Sequence, residues 1–236
     1  DLTLRVRRGE IVALMGRNGA GKSTLLNTMV GVQKADRGRI GVGAELADPY
    51  GMQGQELLKH VGLVPQEAGD MLYAQTVEAE CAAADHDAHA TPGTTRALLE
   101  SFAPGIDDQT HPRDLSEGQR LSLVLAIVLT ARPPLVLLDE PTRGLDYPGK
   151  ANFTRVLQQL ADDGHAIMLA THDVELVATT AHRVVIIADG ELVADGPTEE
   201  VVVSSPMFAP QISKVMRPLP YLTVDEAVAG ISGVQQ

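Results

Sequence analysis

The sequence predicts an α/β fold: a mostly parallel core sheet interrupted by a helical insert. Three observations carry this. The runs Ile11-Val12-Ala13-Leu14-Met15 and Leu135-Val136-Leu137-Leu138 are short, apolar and bounded by Gly or Pro, as strands buried on both faces are. The first passes through a glycine-rich loop into a helix start, Ser23-Thr24-Leu25-Leu26-Asn27. A longer apolar stretch at 121–131, interrupted by Ser122 and Thr130, has the length of a buried helix.

The loop after the first strand reads Gly16-Arg17-Asn18-Gly19-Ala20-Gly21-Lys22-Ser23-Thr24, a G-x-x-x-x-G-K-S motif in strand–loop–helix context. Triphosphate charge is held in such a loop by backbone N–H groups converging on one concavity and by the helix N-terminus. Gly16, Asn18, Gly19, Gly21, Lys22, Ser23 and Thr24 are therefore the expected nucleotide-binding residues. Gly19 and Gly21 let the backbone approach without a Cβ in the way. Lys22 is expected to reach the β- and γ-phosphates, and the Ser23 hydroxyl to ligate Mg²⁺.

Pro133-Pro134 stops a helix, and the strand at 135–138 ends in Asp139-Glu140. Ligands bind at the carboxyl ends of strands in open α/β sheets. Asp139 is expected to hold Mg²⁺, because a hard cation prefers carboxylate oxygen. Glu140 is expected to orient or deprotonate an attacking water. An acidic strand end is commonplace, but this one lies downstream of the phosphate loop and ahead of Pro141-Thr142-Arg143-Gly144-Leu145-Asp146. Glu140 also speaks against a chain that binds ATP without cleaving it.

Between the core segments, residues 68–132 read as mainly helical. The stretch 84–93 is polar and is expected to be a solvated, flexible loop. Asp85, His86, Asp87 and His89 within it suggest metal ligands, but their spacing puts them on no common helix face. Further on, Val184-Val185-Ile186-Ile187-Ala188 and Glu191-Leu192-Val193-Ala194 flank Asp189-Gly190, which predicts a hairpin with a type I′ turn. Thr223-Val224-Asp225-Glu226 has capping-box spacing and predicts a last helix to about Ile231.

Composition bounds the partners. A net charge of −12 argues against nucleic acid as the main partner, since phosphate backbones need a basic footprint. It also opposes direct docking on an anionic leaflet. No apolar run reaches the roughly 18 residues of a membrane span, and no signal peptide is visible. Membrane contact must go through a partner. The single cysteine, Cys81, cannot form an internal disulfide; it is expected on a helix and buried. Apolar content of 44% supports a substantial core, with aromatics at only 3%, so that core must be aliphatic.

Three further segments follow in order: Gln66 after Val64-Pro65, Leu115-Ser116-Glu117-Gly118-Gln119, and His172 in Ala170-Thr171-His172-Asp173. With the phosphate loop, Asp139-Glu140 and Asp146, they resemble the ATP-binding cassette (ABC) family over essentially the whole chain. The resemblance implies a P-loop NTPase fold of ABC type, with a mostly parallel core sheet, an N-terminal antiparallel part lacking its first strand, and a helical insert subdomain. It implies that Ser116, Gly118 and Gln119 form the signature, of which Ser116 and Gly118 contact the γ-phosphate of ATP held by a second cassette. Ser116 is expected to open a helix whose free N–H groups make an anion site. Gln66 would touch the Mg²⁺ and water region, His172 would bond the γ-phosphate, and Asp146 would sit across the dimer seam. Segments 1–67 and 133–196 become the two parts of the ATP-binding core, 68–132 the insert with the signature, and 197–236 a C-terminal extension.

The chain departs from the family pattern twice. Glu117 replaces the usual first glycine of the signature pair, adding negative charge near a phosphate site. No aromatic residue precedes Tyr50, so the residue that stacks on adenine in the family is absent, and without an initiating Met the chain reads as a fragment cut inside a cassette. The stretches 143–150, 195–211 and 222–226 are similar to the energy-coupling factor branch of vitamin and metal-ion importers. The composition is similar to the second cassette of a tandem ATPase from a high-GC bacterium. The expected partners are thus a second cassette, in a homo- or heterodimer or in the same polypeptide, and transmembrane transporter subunits. The expected location is cytoplasmic and peripheral, on the inner face of the membrane. Two rivals stand beside this reading. One is a soluble cassette ATPase acting on DNA or ribosomes, opposed by the −12 charge. The other is a regulatory ATP-binding clamp, opposed by Glu140 and His172.

Overall fold

A computed structural model of the chain describes residues 2–52, 54–204 and 222. Its strands are β1 (Ile11–Met15), β2 (Val61–Val64), β3 (Leu135–Asp139), β4 (Ala166–Ala170), β5 (Arg183–Ala188) and β6 (Glu191–Pro197). They form one sheet in the order β2-β3-β4-β1-β5-β6. All neighbours pair in parallel except β5 and β6. β1 and β4 are buried at every position, as parallel strands covered on both faces must be. Side chains alternate between the two faces. Val136, Leu138, Ile167 and Leu169 join one apolar cluster with Leu99, Leu123 and Leu157. Leu137, Met168 and Val12 join another with Leu26 and Val30. Each large side chain buried in this way contributes about 1.5–3 kcal/mol.

Helix α1 (Lys22–Met29) follows β1, and the short α2 (Gly54–Leu58) precedes β2. Three helices lie between β2 and β3: α3 (Val77–Asp87), α4 (Thr94–Phe102) and α5 (Glu117–Thr130). The apolar stretch at 121–131 forms most of α5, and seven of its aliphatic residues are buried. α6 (Tyr147–Asp162) and α7 (Val174–Thr180) flank β4, and α8 (Thr198–Ser204) follows β6. No described helix is long and apolar enough to cross a membrane.

The β5–β6 hairpin turns at Asp189 (φ 51) and Gly190 (φ 76), both left-handed as a type I′ turn requires. This pair is the antiparallel part of the sheet. It lies on the C-terminal side of the chain, and no strand precedes Ile11 among the described residues.

The stretch 84–93 differs from its expected form. Residues 84–87 complete α3 instead of forming a solvated loop, and Asp85 is buried. The reason is a hydrogen-bond network that a polar composition does not reveal. Asp85 accepts from Gly93 N (2.6 Å), Thr95 N (2.8 Å) and Thr95 Oγ1 (2.6 Å), and Thr95 Oγ1 lies 2.7 Å from Thr130 Oγ1 on α5. Cys81 lies on α3 and is buried; burial pushes its thiol up to about 11. The helix expected from Thr223 lies outside the described residues.

Candidate functional site

The parallel register aligns the strand ends. Val64 pairs with Leu138, Asp139 with Ala170, and Leu14 with Ala170, so the carboxyl ends of β1 to β4 open on one edge of the sheet. Each of the loops that follow β1 to β4 carries an expected site residue. The phosphate loop leaves β1, Gln66 follows β2, Asp139 ends β3 with Glu140 next, and His172 follows β4.

In the phosphate loop, a Cβ on Gly16 would lie 2.4 Å from the Ile187 carbonyl oxygen on β5. Only glycine fits there without moving backbone. Gly21 is the N-cap of α1 with φ 101, a left-handed conformation that glycine adopts freely. A Cβ on Gly19 or Gly21 would meet nothing within 4 Å, so the space beside them is open. Lys22 is buried, and its Nζ donates to Gly16 O at 3.0 Å. It also lies 3.8 Å from Glu140 Oε1.

Glu140 is held in a left-handed backbone conformation (φ 47) by its N–H bond to Ala170 O at 2.8 Å. Non-glycine residues occupy this region at a cost, and such strain gathers at functional sites. Its Oε2 lies 2.8 Å from His172 Nδ1. An ionised carboxylate can only accept, so Nδ1 carries a proton in this contact. The Glu140 side chain is 11% exposed and that of His172 71%, so a sheltered carboxylate supports an exposed ring.

A cleft of about 580 Å³ brings these groups together. Asn18, Gly19, Gly21, Lys22, Ser23 and Thr24 line it from the phosphate loop, Gln66 from β2, Asp139 and Glu140 from β3, and His172 from β4. Asp139 is buried, and its Oδ1 has no hydrogen-bond partner. An orphaned buried carboxylate oxygen is costly, and with the Ser23 hydroxyl in the same cleft it makes an oxygen donor set that suits Mg²⁺. Arg143 also lines this cleft. Sequence reasoning left it out; its position three residues beyond Glu140 was the available signal.

Ser116, Gly118, Gln119 and Asp146 lie elsewhere, in a second cavity of about 420 Å³ that shares no lining residue with the first. Ser116 opens α5 with a capping box: its Oγ accepts from Gln119 N (3.3 Å), and Gln119 Oε1 accepts from Ser116 N (3.0 Å). Asp146 caps α6, accepting from Gly149 N at 2.8 Å. Glu117 turns to Arg120, at 2.7 Å, which neutralises its charge. Apart from Gly16, which lines neither cavity and instead packs against the Ile187 carbonyl, the expected site residues thus fall into two groups, one per cavity.

A glycine-rich loop between β1 and α1, with paired acids at the end of a parallel strand one place removed in the sheet, defines a P-loop nucleotide-binding protein. The family model described as ABC transporter matches residues 1–143, and the chain belongs to this family. It is 63% identical over 218 residues to a Streptomyces avermitilis protein assigned as an ABC transporter ATP-binding protein, covering 92% of this chain and 38% of that one. It is 62% identical over 224 residues to a Streptomyces coelicolor protein of the same assignment, covering 95% and 39%. The chain therefore spans about two fifths of the length of these relatives. Among solved structures it resembles cbiO1 from Clostridium perfringens, part of the ABC transporter complex cbiONQ, with TM-score 0.72 and 27% identity over 91% of this chain and 90% of that one.

Proposed function

We propose that the chain is an ATP-hydrolysing cassette of an ABC importer of the energy-coupling factor kind, serving a vitamin or a metal ion. The observation that carries the reading is the division of the site. The cleft holds a phosphate loop, a metal-suited oxygen set and a Glu140–His172 pair, while the signature and Asp146 sit in a separate cavity. One chain therefore offers two incomplete halves, and a second cassette, in a separate chain or the same polypeptide, completes each. The similarity to cbiO1, itself part of a transporter complex, supports the importer branch and transmembrane partners. On this reading the cassette sits on the inner face of the membrane, held by those partners.

The residues divide the work as follows. Backbone amides of the phosphate loop and Lys22 hold the phosphates, and Lys22 exchanges its Gly16 carbonyl for phosphate oxygen. Ser23 and Asp139, with Gln66 nearby, would hold Mg²⁺, which when bound neutralises charge that otherwise repels the nucleophile. Glu140 orients water and takes its proton. Glu140 holds His172 through Nδ1; to bond a γ-phosphate oxygen, which only accepts, the ring must carry a proton on Nε2 as well. Ser116 and Gly118 present the start of α5 to phosphate held by the second cassette.

The test is Mg-ATP-dependent association of the full-length protein, followed by light scattering, in a Glu140→Gln background that slows hydrolysis. Closure with ATP that disappears with Ser116→Arg supports the shared site. Nucleotide binding without closure overturns it.

A further inference from the structure

Arg143 lies outside every role assigned above, yet it lines the phosphate-loop cleft. Lys22 and Arg143 are the two lysine or arginine residues in that lining. They differ in availability. Lys22 is buried and tied to Gly16 O, with Glu140 close by. The side chain of Arg143 is 59% exposed, and its Nη1 donates to Glu67 Oε1 at 2.8 Å. Glu67 is 67% exposed and directly follows Gln66.

The fold sets up this pair. β2 and β3 are parallel neighbours, so the loops that begin at Val64 and Asp139 leave the sheet side by side. After Glu140 the chain turns tightly: Arg143 N bonds Glu140 O (3.2 Å), Leu145 N bonds Thr142 O (3.2 Å), and Gly144 has φ 80. The turn brings the guanidinium back across the cleft mouth to the Gln66 loop. An ion pair this exposed adds little to stability, so folding alone gives little reason for it. A polyphosphate in the cleft offers the planar guanidinium two oxygens and more charge than one exposed carboxylate does.

We propose that Arg143 is a phosphate-sensing residue: the terminal phosphate of a nucleoside triphosphate displaces Glu67 from its guanidinium. The exchange releases the Gln66 loop from the Glu140 turn, so that this loop reports triphosphate, as opposed to diphosphate, in the cleft. The inference rests on the nucleotide-site reading and adds to it the discrimination between the two nucleotides.

Calorimetric titration of the full-length protein with a non-hydrolysable ATP analogue and with ADP, both with Mg²⁺, tests it at the site that Lys22→Ala removes. Arg143→Ala should weaken the triphosphate analogue about tenfold, the scale of one charge-assisted hydrogen bond, and ADP by no more than about twofold. Arg143→Lys, which keeps the charge without the fork, should recover part of the loss. Glu67→Gln should tighten the triphosphate analogue, because it replaces the competing carboxylate with a neutral, weaker acceptor; a merely structural pair would give the opposite sign. Equal effects of Arg143→Ala on both nucleotides, or weaker analogue binding by Glu67→Gln, would overturn the assignment. If Lys22→Ala leaves binding intact, the nucleotide site itself is misplaced and the role of Arg143 falls with it.

Discussion

Replacing Asp85 with Ala should loosen the packing of α4 on α3 and α5. Gly93, the N-cap of α4, has no side chain with which to cap the helix. Asp85, on α3, does this from outside: its two oxygens accept from Gly93 N, Thr95 N and Thr95 Oγ1 at 2.6–2.8 Å. Its negative charge also faces the positive end of the α4 dipole. Each hydrogen bond to a charged acceptor contributes about 1.5–3 kcal/mol. The sum is not reached, because the part-buried Gly93 amide can regain water and Thr95 Oγ1 keeps Thr130 as a partner. A loss of about 3 kcal/mol remains, a large share of a domain stability of about 5–15 kcal/mol.

The pH dependence has a definite sign. Burial pushes the Asp85 carboxyl up, but the Thr95 hydroxyl and the amides of Thr95, Gly93 and Thr94 outweigh it and hold the pKa below the ordinary 3.8. The contribution of a carboxyl depressed in this way is fully present above its unfolded value and is lost as pH falls through the folded one. Native-state hydrogen exchange of the α4 amides, with urea unfolding, should show the wild type and Asp85→Ala far apart at pH 7 and converging as pH falls below the ordinary 3.8 and through the depressed folded value. Asp85→Asn should recover little, since its amide N–H₂ points at donors. A loss under about 1 kcal/mol at pH 7 would refute the capping account.

Gly16→Ala places a Cβ against the Ile187 carbonyl; thermal melting should show a loss of about 1–3 kcal/mol, and unchanged stability would mean that the loop shifts freely. Asp139→Ala removes an unpartnered buried oxygen, so stability without metal should hold or rise by up to about 1 kcal/mol, whereas the Mg²⁺-dependent rise in melting temperature with nucleotide should vanish. Asp173→Asn breaks the 2.5 Å contact with Lys150 and weakens the cap on Leu176 N; urea unfolding should show about 1–2 kcal/mol lost at neutral pH. The buried Cys81 thiol, pushed up to about 11, should resist alkylation at pH 8 in the folded protein and react on unfolding.

Legibility in the sequence followed the range of the interactions. The Asp189-Gly190 turn and the start of α5 at Ser116 rest on neighbours within four residues, and each appears where local chemistry requires it; the phosphate loop is legible as a contiguous motif even though Gly16 also answers to Ile187 on β5. Asp85 was misread as part of a solvated loop because its partners lie eight and ten residues away, beyond a turn, and a capping carboxylate from another helix has no local pattern. Arg143 was passed over for a related reason. Its place in the cleft depends on β2 and β3 being neighbours, and nothing between residues 64 and 138 encodes that adjacency locally. The two-cavity division was equally hidden, since motif order along the chain says nothing about which motifs share a space.

That division bears on how the halves could meet. Ser116 Oγ already accepts from Gln119 N, and Asp146 already accepts from Gly149 N, so both are fixed by their own helix starts. A phosphate arriving at α5 would therefore find an oriented hydroxyl and first-turn N–H groups that have no carbonyl one turn back. Little reorganisation is needed on this side. The cleft side is different, because Lys22, Glu140 and His172 already bond one another or the backbone. On the proposed function the conformational work of nucleotide binding thus falls on the phosphate-loop half, and the signature half acts as a rigid acceptor. Ser116→Arg should then abolish association while leaving nucleotide affinity of the phosphate-loop cleft on the same chain unchanged. A parallel loss of affinity in that cleft would show that the two halves are coupled within one chain.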